Sequence, residues 1–231
     1  MMDSSFVNEM AALFYPHACV ICEDELLEKE EGVCLECLHK LPRTGDYLER
    51  DNAVEKLMAA RVPFDRVASY CIYSKGGMLP PLIHHLKYHG RKEIGMLLGR
   101  LFGRDLLGSA FLKPVDLIVP VPLHPRKEKA RGYNQAEMIA MGLSEATSLP
   151  VSTGNLIRVI SNPTQTKRTK TQRWENVKGI FSVLDRSRFS GRHLLLVDDV
   201  ITTGSTIEAC GTALQECEET RISIATLGQV P

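Results

Sequence analysis

The sequence has no run of about 18 uncharged apolar residues, so no part of it is long enough to cross a bilayer as a helix. Its first residues lack the basic flank and apolar core of a secretory signal, and the apolar stretch 10–15 is too brief for either role. Neither sign of charge is in excess: 28 basic side chains balance 28 acidic ones, so no whole-molecule field draws the chain to nucleic acid or membrane. Aromatic residues make up 6%, with one Trp, and no apolar or aromatic cluster marks a base pocket. Together these absences predict a cytoplasmic protein without membrane insertion.

What is present suits a globular α/β chain. Its 231 residues, 44% hydrophobic and 24% charged, can bury a sizeable core and leave room for an appendage. The charge balance is uneven along the chain. Residues 23–31 carry six acidic side chains and one Lys, whereas residues 156–178 carry six basic ones and a single Glu175.

Four of the seven cysteines form two Cys-x2-Cys knuckles, Cys19/Cys22 and Cys34/Cys37, eleven residues apart. Four thiolates at that spacing can close a tetrahedral site, which favours structural zinc; iron fits the same cage. Two disulfides are the alternative, and the lack of a secretory signal argues against them. His17 and His39 flank the knuckles as alternative ligands. Cys71, Cys210 and Cys217 stand alone in apolar surroundings and read as packing residues. The expected division is a zinc-ribbon-like module with a connecting segment over residues 1–60, then an α/β domain over 61–231.

Strands are expected near Val67, Leu117, Ile180, Leu194 and Ile222, forming a mostly parallel sheet with helices on both faces. Residues 79–86 and 94–107 carry helical periodicity. His84, His85 and His89 read as solvated helix-face residues rather than metal ligands. The apolar run 194–197 leads into Asp198 and Asp199, then Thr202, Thr203, Gly204, Ser205 and Thr206, which open into a helical pattern. A hydroxyl-rich turn at a helix N-terminus offers free N–H groups and the positive dipole end to a phosphate. Paired carboxylates suit ribose hydroxyls or a hydrated Mg²⁺ already held by substrate phosphates. A helix capped by Thr or Ser would explain one hydroxyl, not four beside an acidic pair.

Upstream, Pro120, Pro122 and Pro125 break the strand ladder, and the chain turns basic through Arg126, Lys127, Lys129 and Arg131. A stiff basic loop reaching a helix N-terminus is a plausible diphosphate clamp.

The Asp198-Asp199-Val200-Ile201-Thr202-Thr203-Gly204-Ser205-Thr206 stretch resembles the phosphoribosyl-pyrophosphate signature of type I phosphoribosyltransferases. The segments Val119-Pro120-Val121-Pro122-Leu123-His124 and Arg131-Gly132-Tyr133-Asn134-Gln135 resemble the ComF/GntX family of phosphoribosyltransferase-like competence proteins. Leu86-Lys87-Tyr88 with Gly90, the residues Arg158, Thr164, Gln165, Arg173, Asn176 and Phe181, and the four N-terminal cysteines fit the same family. The resemblance spans residues 17–228.

It implies a type I phosphoribosyltransferase-like core in which Asp198 and Asp199 contact the ribose or its Mg²⁺. Thr202, Thr203, Gly204, Ser205 and Thr206 would cradle the 5′-phosphate. Leu123, His124, Arg126 and Lys127 would form a pyrophosphate loop with a strained peptide bond, with Lys87 adding charge. Residues 161–178 would be a mobile hood. Only Gly-Gln-Val-Pro follows Leu227, so a C-terminal base-recognition hood is expected to be lacking or very short. The implied reaction class is pentosyl transfer, as in glycosyltransferases of nucleotide metabolism, with no acceptor specified; the family name also implies DNA uptake in natural transformation. A second class is a non-catalytic module handling single-stranded DNA beside uptake or recombination proteins. In that case Lys167, Arg168, Lys170, Arg173 and Trp174 would neutralise phosphates and stack on a base, unless Trp174 anchors the hood instead. Oligomerisation is compatible with either.

Overall fold

The computed structural model describes residues 18–159 and 179–231. Residues 10–15, His17, the expected hood at 161–178 and the basic tract Lys167, Arg168, Lys170, Arg173 and Trp174 lie outside the described residues.

The described elements begin with a short helix α1 (Leu35–His39), a 3-10 turn (Asp46–Leu48) and α2 (Ala53–Met58). Strand β1 (Arg66–Ile72), helices α3 (Leu79–Tyr88) and α4 (Lys92–Leu107), and strand β2 (Leu117–Pro120) follow. Next come α5 (Pro125–Arg131), α6 (Gln135–Thr147), β3 (Leu156–Arg158) and β4 (Phe181–Val183). A second 3-10 turn (Arg186–Arg188), β5 (His193–Ile201), α7 (Ser205–Leu214) and β6 (Arg221–Gln229) complete the chain.

Four strands pair in parallel in the order β1-β6-β5-β2. Side chains on a strand alternate between faces, and the burial follows that period. Leu195, Val197, Ala225, Leu227 and Ile118 pack with α3, α4 and α6 on one face. Leu194, Leu196, Ile222, Ile224 and Val119 pack with α2 and α7 on the other. The apolar run at β5 is therefore continuous because both faces of the sheet are covered. Pro120, which has no N–H to give a ladder, sits at the end of the edge strand β2.

Helices α4 and α6 meet backbone to backbone. A Cβ on Gly99 would overlap the Ile139 carbonyl oxygen, and one on Gly142 would overlap that of Met96. Glycine is needed at both positions because carbonyls cannot rotate away as a side chain can.

The N-terminal module joins the α3–α4 core through Cys19, Val33, Cys37, Leu38 and Leu41. The segment after it follows β1: Ile72 N–H donates to the Pro42 carbonyl at 2.9 Å and Thr44 N–H to Tyr70 at 3.0 Å. Asn52 caps α2 and donates to the Val67 carbonyl at 2.9 Å, while Glu55 pairs with Arg66 at 2.8 Å. Cys71, Cys210 and Cys217 are buried packing residues.

Two expectations change. The strand near Ile180 exists, as β4, but pairs antiparallel with β3 in a separate two-stranded ribbon. Leu156 and Phe181 bury that ribbon against the α7 side of the core, which anchors it off the sheet's end. The basic stretch after Pro125 is a helix rather than a loop. Pro125 opens it, the His124 ring accepts from Arg126 N–H at 3.2 Å, and Gly132 ends it at φ 86°.

Candidate functional site

Ligands in open α/β sheets bind beyond the carboxyl ends of the strands, and a cavity of about 370 Å³ opens there. β5 runs on through Ile201, so Asp198 and Asp199 belong to its last turn of pleat rather than to a loop beyond it. Alternation along the strand directs Asp199 to the α3 side and Asp198 to the α7 side. Both line the cavity, with Lys87 from α3, Leu123 after β2, and Thr202 and Thr206 around the start of α7.

Lys87 Nζ donates to Asp199 Oδ1 at 2.7 Å. The other oxygen, Asp199 Oδ2, is buried with no partner among the described residues. Asp198 Oδ1 accepts from the Asp199 N–H at 2.8 Å. Burial, and after it the neighbouring Asp199 carboxylate, push the Asp198 carboxyl up to about 8, against the pull of that N–H and of Lys87. Two adjacent carboxylates, one holding an unpartnered buried oxygen, form a hard-oxygen donor set that fits a Mg²⁺ arriving with its own phosphate ligands.

The turn after β5 is not built as a hydroxyl cap. The N-cap of α7 is Gly204, in the left-handed region at φ 76°, and no side chain caps the helix. The positive φ favours glycine there, and a Cβ would in addition lie 2.5 Å from Met58 Sδ and force that side chain to shift. Thr202, Thr203, Ser205 and Thr206 are exposed, and Thr203 and Ser205 hydroxyls stand 3.0 Å apart. The first N–H groups of α7 and four hydroxyls thus face solvent at the positive end of a helix, the makings of an anion cradle.

The candidates on the basic segment divide. Leu123 lines the carboxylate cavity, whereas His124, Arg126 and Lys127 do not. His124 is engaged in capping α5. Lys127 lines a neighbouring depression together with Lys87, Tyr88 and Arg131. Among the described residues no peptide is cis, and none of residues 123–127 has left-handed backbone.

Three polar lining residues received no site assignment from the sequence. Tyr73 follows β1, Gln135 opens α6, and Arg158 ends β3 with its guanidinium carbon 5.4 Å from the Phe181 ring centre. Asn134 fixes α6 beside the site, donating to the Val121 carbonyl at 2.9 Å and capping the helix.

At the other end of the chain, one sulfur from each of Cys19, Cys22, Cys34 and Cys37 lies within 4.8 Å of the others, and all four are free thiols. Cys22 and Cys34 sulfurs are 3.7 Å apart. A tetrahedral site with metal–sulfur bonds of about 2.3 Å has edges of about 3.8 Å, so the cluster has the dimensions of a closed S₄ cage. Ile21 and Cys34 N–H groups approach Cys19 Sγ at 3.5 and 3.4 Å. Burial would raise the Cys19 thiol, yet these and the Cys22 backbone donor bring it down to about 7. Among the described residues no other His, Cys, Asp or Glu group converges in this way, the histidines of α3 included. His84 and His89 are exposed, and His85 is half-buried.

A phosphoribosyl transferase domain model matches residues 135–231, which contain both the carboxylate pair and the hydroxyl turn. The chain is 30% identical over 210 residues to the DNA utilization protein YhgH of Escherichia coli, covering 84% of this chain and 89% of that one. It is 34% identical over 139 residues to competence protein F of Haemophilus influenzae, covering 58% and 61%. To competence protein ComFC of Bacillus subtilis it is 26% identical over 236 residues, covering 90% and 93%.

Proposed function

Because this chain belongs to the ComF family and matches a phosphoribosyl transferase domain, we propose that it binds phosphoribosyl pyrophosphate with Mg²⁺ and acts in the cytoplasm in DNA uptake or utilisation. The observation that carries the reading is the Asp198–Asp199 pair opening into one cavity with the uncapped turn of α7. Exposed Thr202, Thr203, Ser205 and Thr206 hydroxyls and the N–H groups of α7 suit a 5′-phosphate; buried Gly204 supplies the turn that presents them. Asp198 and Asp199 suit the ribose hydroxyls and would hold Mg²⁺, which when bound offsets charge on the leaving diphosphate.

The chain's own groups then divide the work. Lys87 can release Asp199 to a ligand and offer its ammonium to the diphosphate. Leu123 and Pro122 form an apolar wall that limits water near the reacting carbon. Lys127 does not line the cavity but shares the neighbouring depression with Lys87, from which it would add positive field. Transfer would break the C1–diphosphate bond and form a bond from C1 to an acceptor nucleophile, which these residues leave unspecified. The N-terminal cysteine cage is read as a structural zinc site, consistent with the burial of Cys19 and Cys37 in the α3–α4 core.

A second reading, a single-stranded DNA-handling module without turnover, is favoured by the relatives named for DNA utilisation and competence. The two can coexist. Calorimetric titration of phosphoribosyl pyrophosphate with Mg²⁺ tests the first: micromolar-range binding by wild type, lost in Asp198→Asn/Asp199→Asn, is the expected result. No binding by wild type would leave the site as inherited scaffold and the second reading standing.

A further inference from the structure

We infer that the end of α3 together with α5 forms a docking face for a single-stranded polynucleotide, with Tyr88 and His84 as stacking surfaces and the α5 cations as phosphate partners. The inference rests on the DNA part of the proposed function and adds where the strand would lie.

Tyr88 is 70% exposed, unusual for a large ring beside a cavity. The rings of His84 and Tyr88 are 5.0 Å apart, and His84 and His89 are also 5.0 Å apart, so three exposed rings form a continuous cluster. Arg131 holds its guanidinium carbon 5.9 Å from the Tyr88 ring centre. A depression of about 320 Å³ lies between Tyr88 and α5, lined by Lys87, Tyr88, Gly90, Lys127, Ala130 and Arg131.

Helix α5 is the other half of the argument. None of its residues is buried, so core packing does not dictate its sequence. It carries Arg126, Lys127, Lys129 and Arg131 against a single Glu128. Among the described residues Arg126, Lys127 and Lys129 make no ion pair. In a chain of zero net charge this is a local concentration of unneutralised cations, placed against exposed rings. Cations spaced along a groove beside exposed aromatic rings match a strand with splayed bases: phosphates take the charge, and any base has a face to stack. A duplex or an acidic protein segment would satisfy the cations but leave the exposed rings without a base to stack on.

The test is fluorescence anisotropy with a labelled oligothymidylate of about 20 nucleotides, long enough for a site of this kind. Tyr88→Ala should raise the Kd about ten-fold. Lys129→Glu should weaken binding and reduce the slope of log K against log salt by about 0.7 or more. Both variants should keep wild-type thermal unfolding. Wild-type binding with both variants unchanged would overturn the placement while leaving DNA binding intact. Equal affinity for duplex with no effect of Tyr88→Ala would overturn the stacking role and reduce the face to a general anion surface, as would displacement of the strand by micromolar inorganic pyrophosphate. Absence of any wild-type binding would remove the DNA reading and this inference with it, whereas the calorimetric test of the sugar-phosphate site is unaffected by that result.

Discussion

Lys87 and Asp199 lie 112 residues apart in sequence and 2.7 Å apart in space, and the pair is lopsided: the Lys side chain is 25% exposed, the Asp 6%. Removing either partner therefore has unequal consequences. Lys87→Met leaves a buried carboxylate without its cation, whereas Asp199→Asn leaves an ammonium that can turn to water. We expect Lys87→Met to cost about 1–3 kcal/mol and Asp199→Asn less, read from urea unfolding midpoints. Equal losses would mean that the pair is solvated in solution.

The raised Asp198 carboxyl makes stability depend on pH. Between the ordinary value of 3.8 and the folded value of about 8, the unfolded chain is ionised while the folded chain keeps its proton. Folding takes up a proton in that window, so the contribution is complete below 3.8 and is lost as pH rises through about 8. Asp198→Asn should flatten the decline of Tm between pH 5 and 8, by about 2–4 °C for each kcal/mol of linkage removed. Parallel curves for variant and wild type would show an ordinary, ionised Asp198.

The α4–α6 contact predicts an intolerance of one methyl group. Gly99→Ala places a Cβ against the Ile139 carbonyl and should destabilise by about 1–3 kcal/mol. Gly108→Ala, at the end of the same helix, where a Cβ would lie 3.8 Å from the Asp105 carbonyl oxygen, serves as control and should change stability by about 0.5 kcal/mol or less. Chemical denaturation of the pair measures the difference.

The cysteine cage predicts one tightly held metal ion per chain. Elemental analysis of purified protein should find zinc, and Cys37→Ser should lose it together with several degrees of Tm, because Cys19 and Cys37 are part of the α3–α4 core. Iron in its place would show a visible absorption band. Full stability after exhaustive metal removal would reduce the cage to free thiols.

Much of this architecture can be read from residue pattern alone. The β5–turn–α7 unit is legible because a short apolar run, two acids and a hydroxyl-rich turn occur in unbroken order. The S₄ cage is legible because metal spacing is local. Helix α5 should have been legible too: Pro125 after a capping His124, six good or neutral helix formers, then Gly132 carry the signals of a start and a stop. Its density of charge fits a solvated loop equally well. Tyr73 and Arg158 are a different case. Each reaches the cavity only because β1 and the β3–β4 ribbon are brought to it by tertiary packing, and nothing in their own neighbourhoods announces that destination. The absence of a side-chain cap at Gly204 was also hidden, since a Thr-Thr-Gly-Ser-Thr stretch offers several capping residues and only the backbone decides which one is used.

The alternation of β5 has a mechanical consequence. Asp199 belongs to the half of the molecule built on α3, α4 and α6, and Asp198 to the half built on α2 and α7, with only the thickness of one strand between them. A ligand grasped by both carboxylates would fasten the two halves near the carboxyl end of β5. Occupancy of one small polar cavity would then tie together elements from both hydrophobic layers, much as a clasp at the mouth of a purse holds both sides at once.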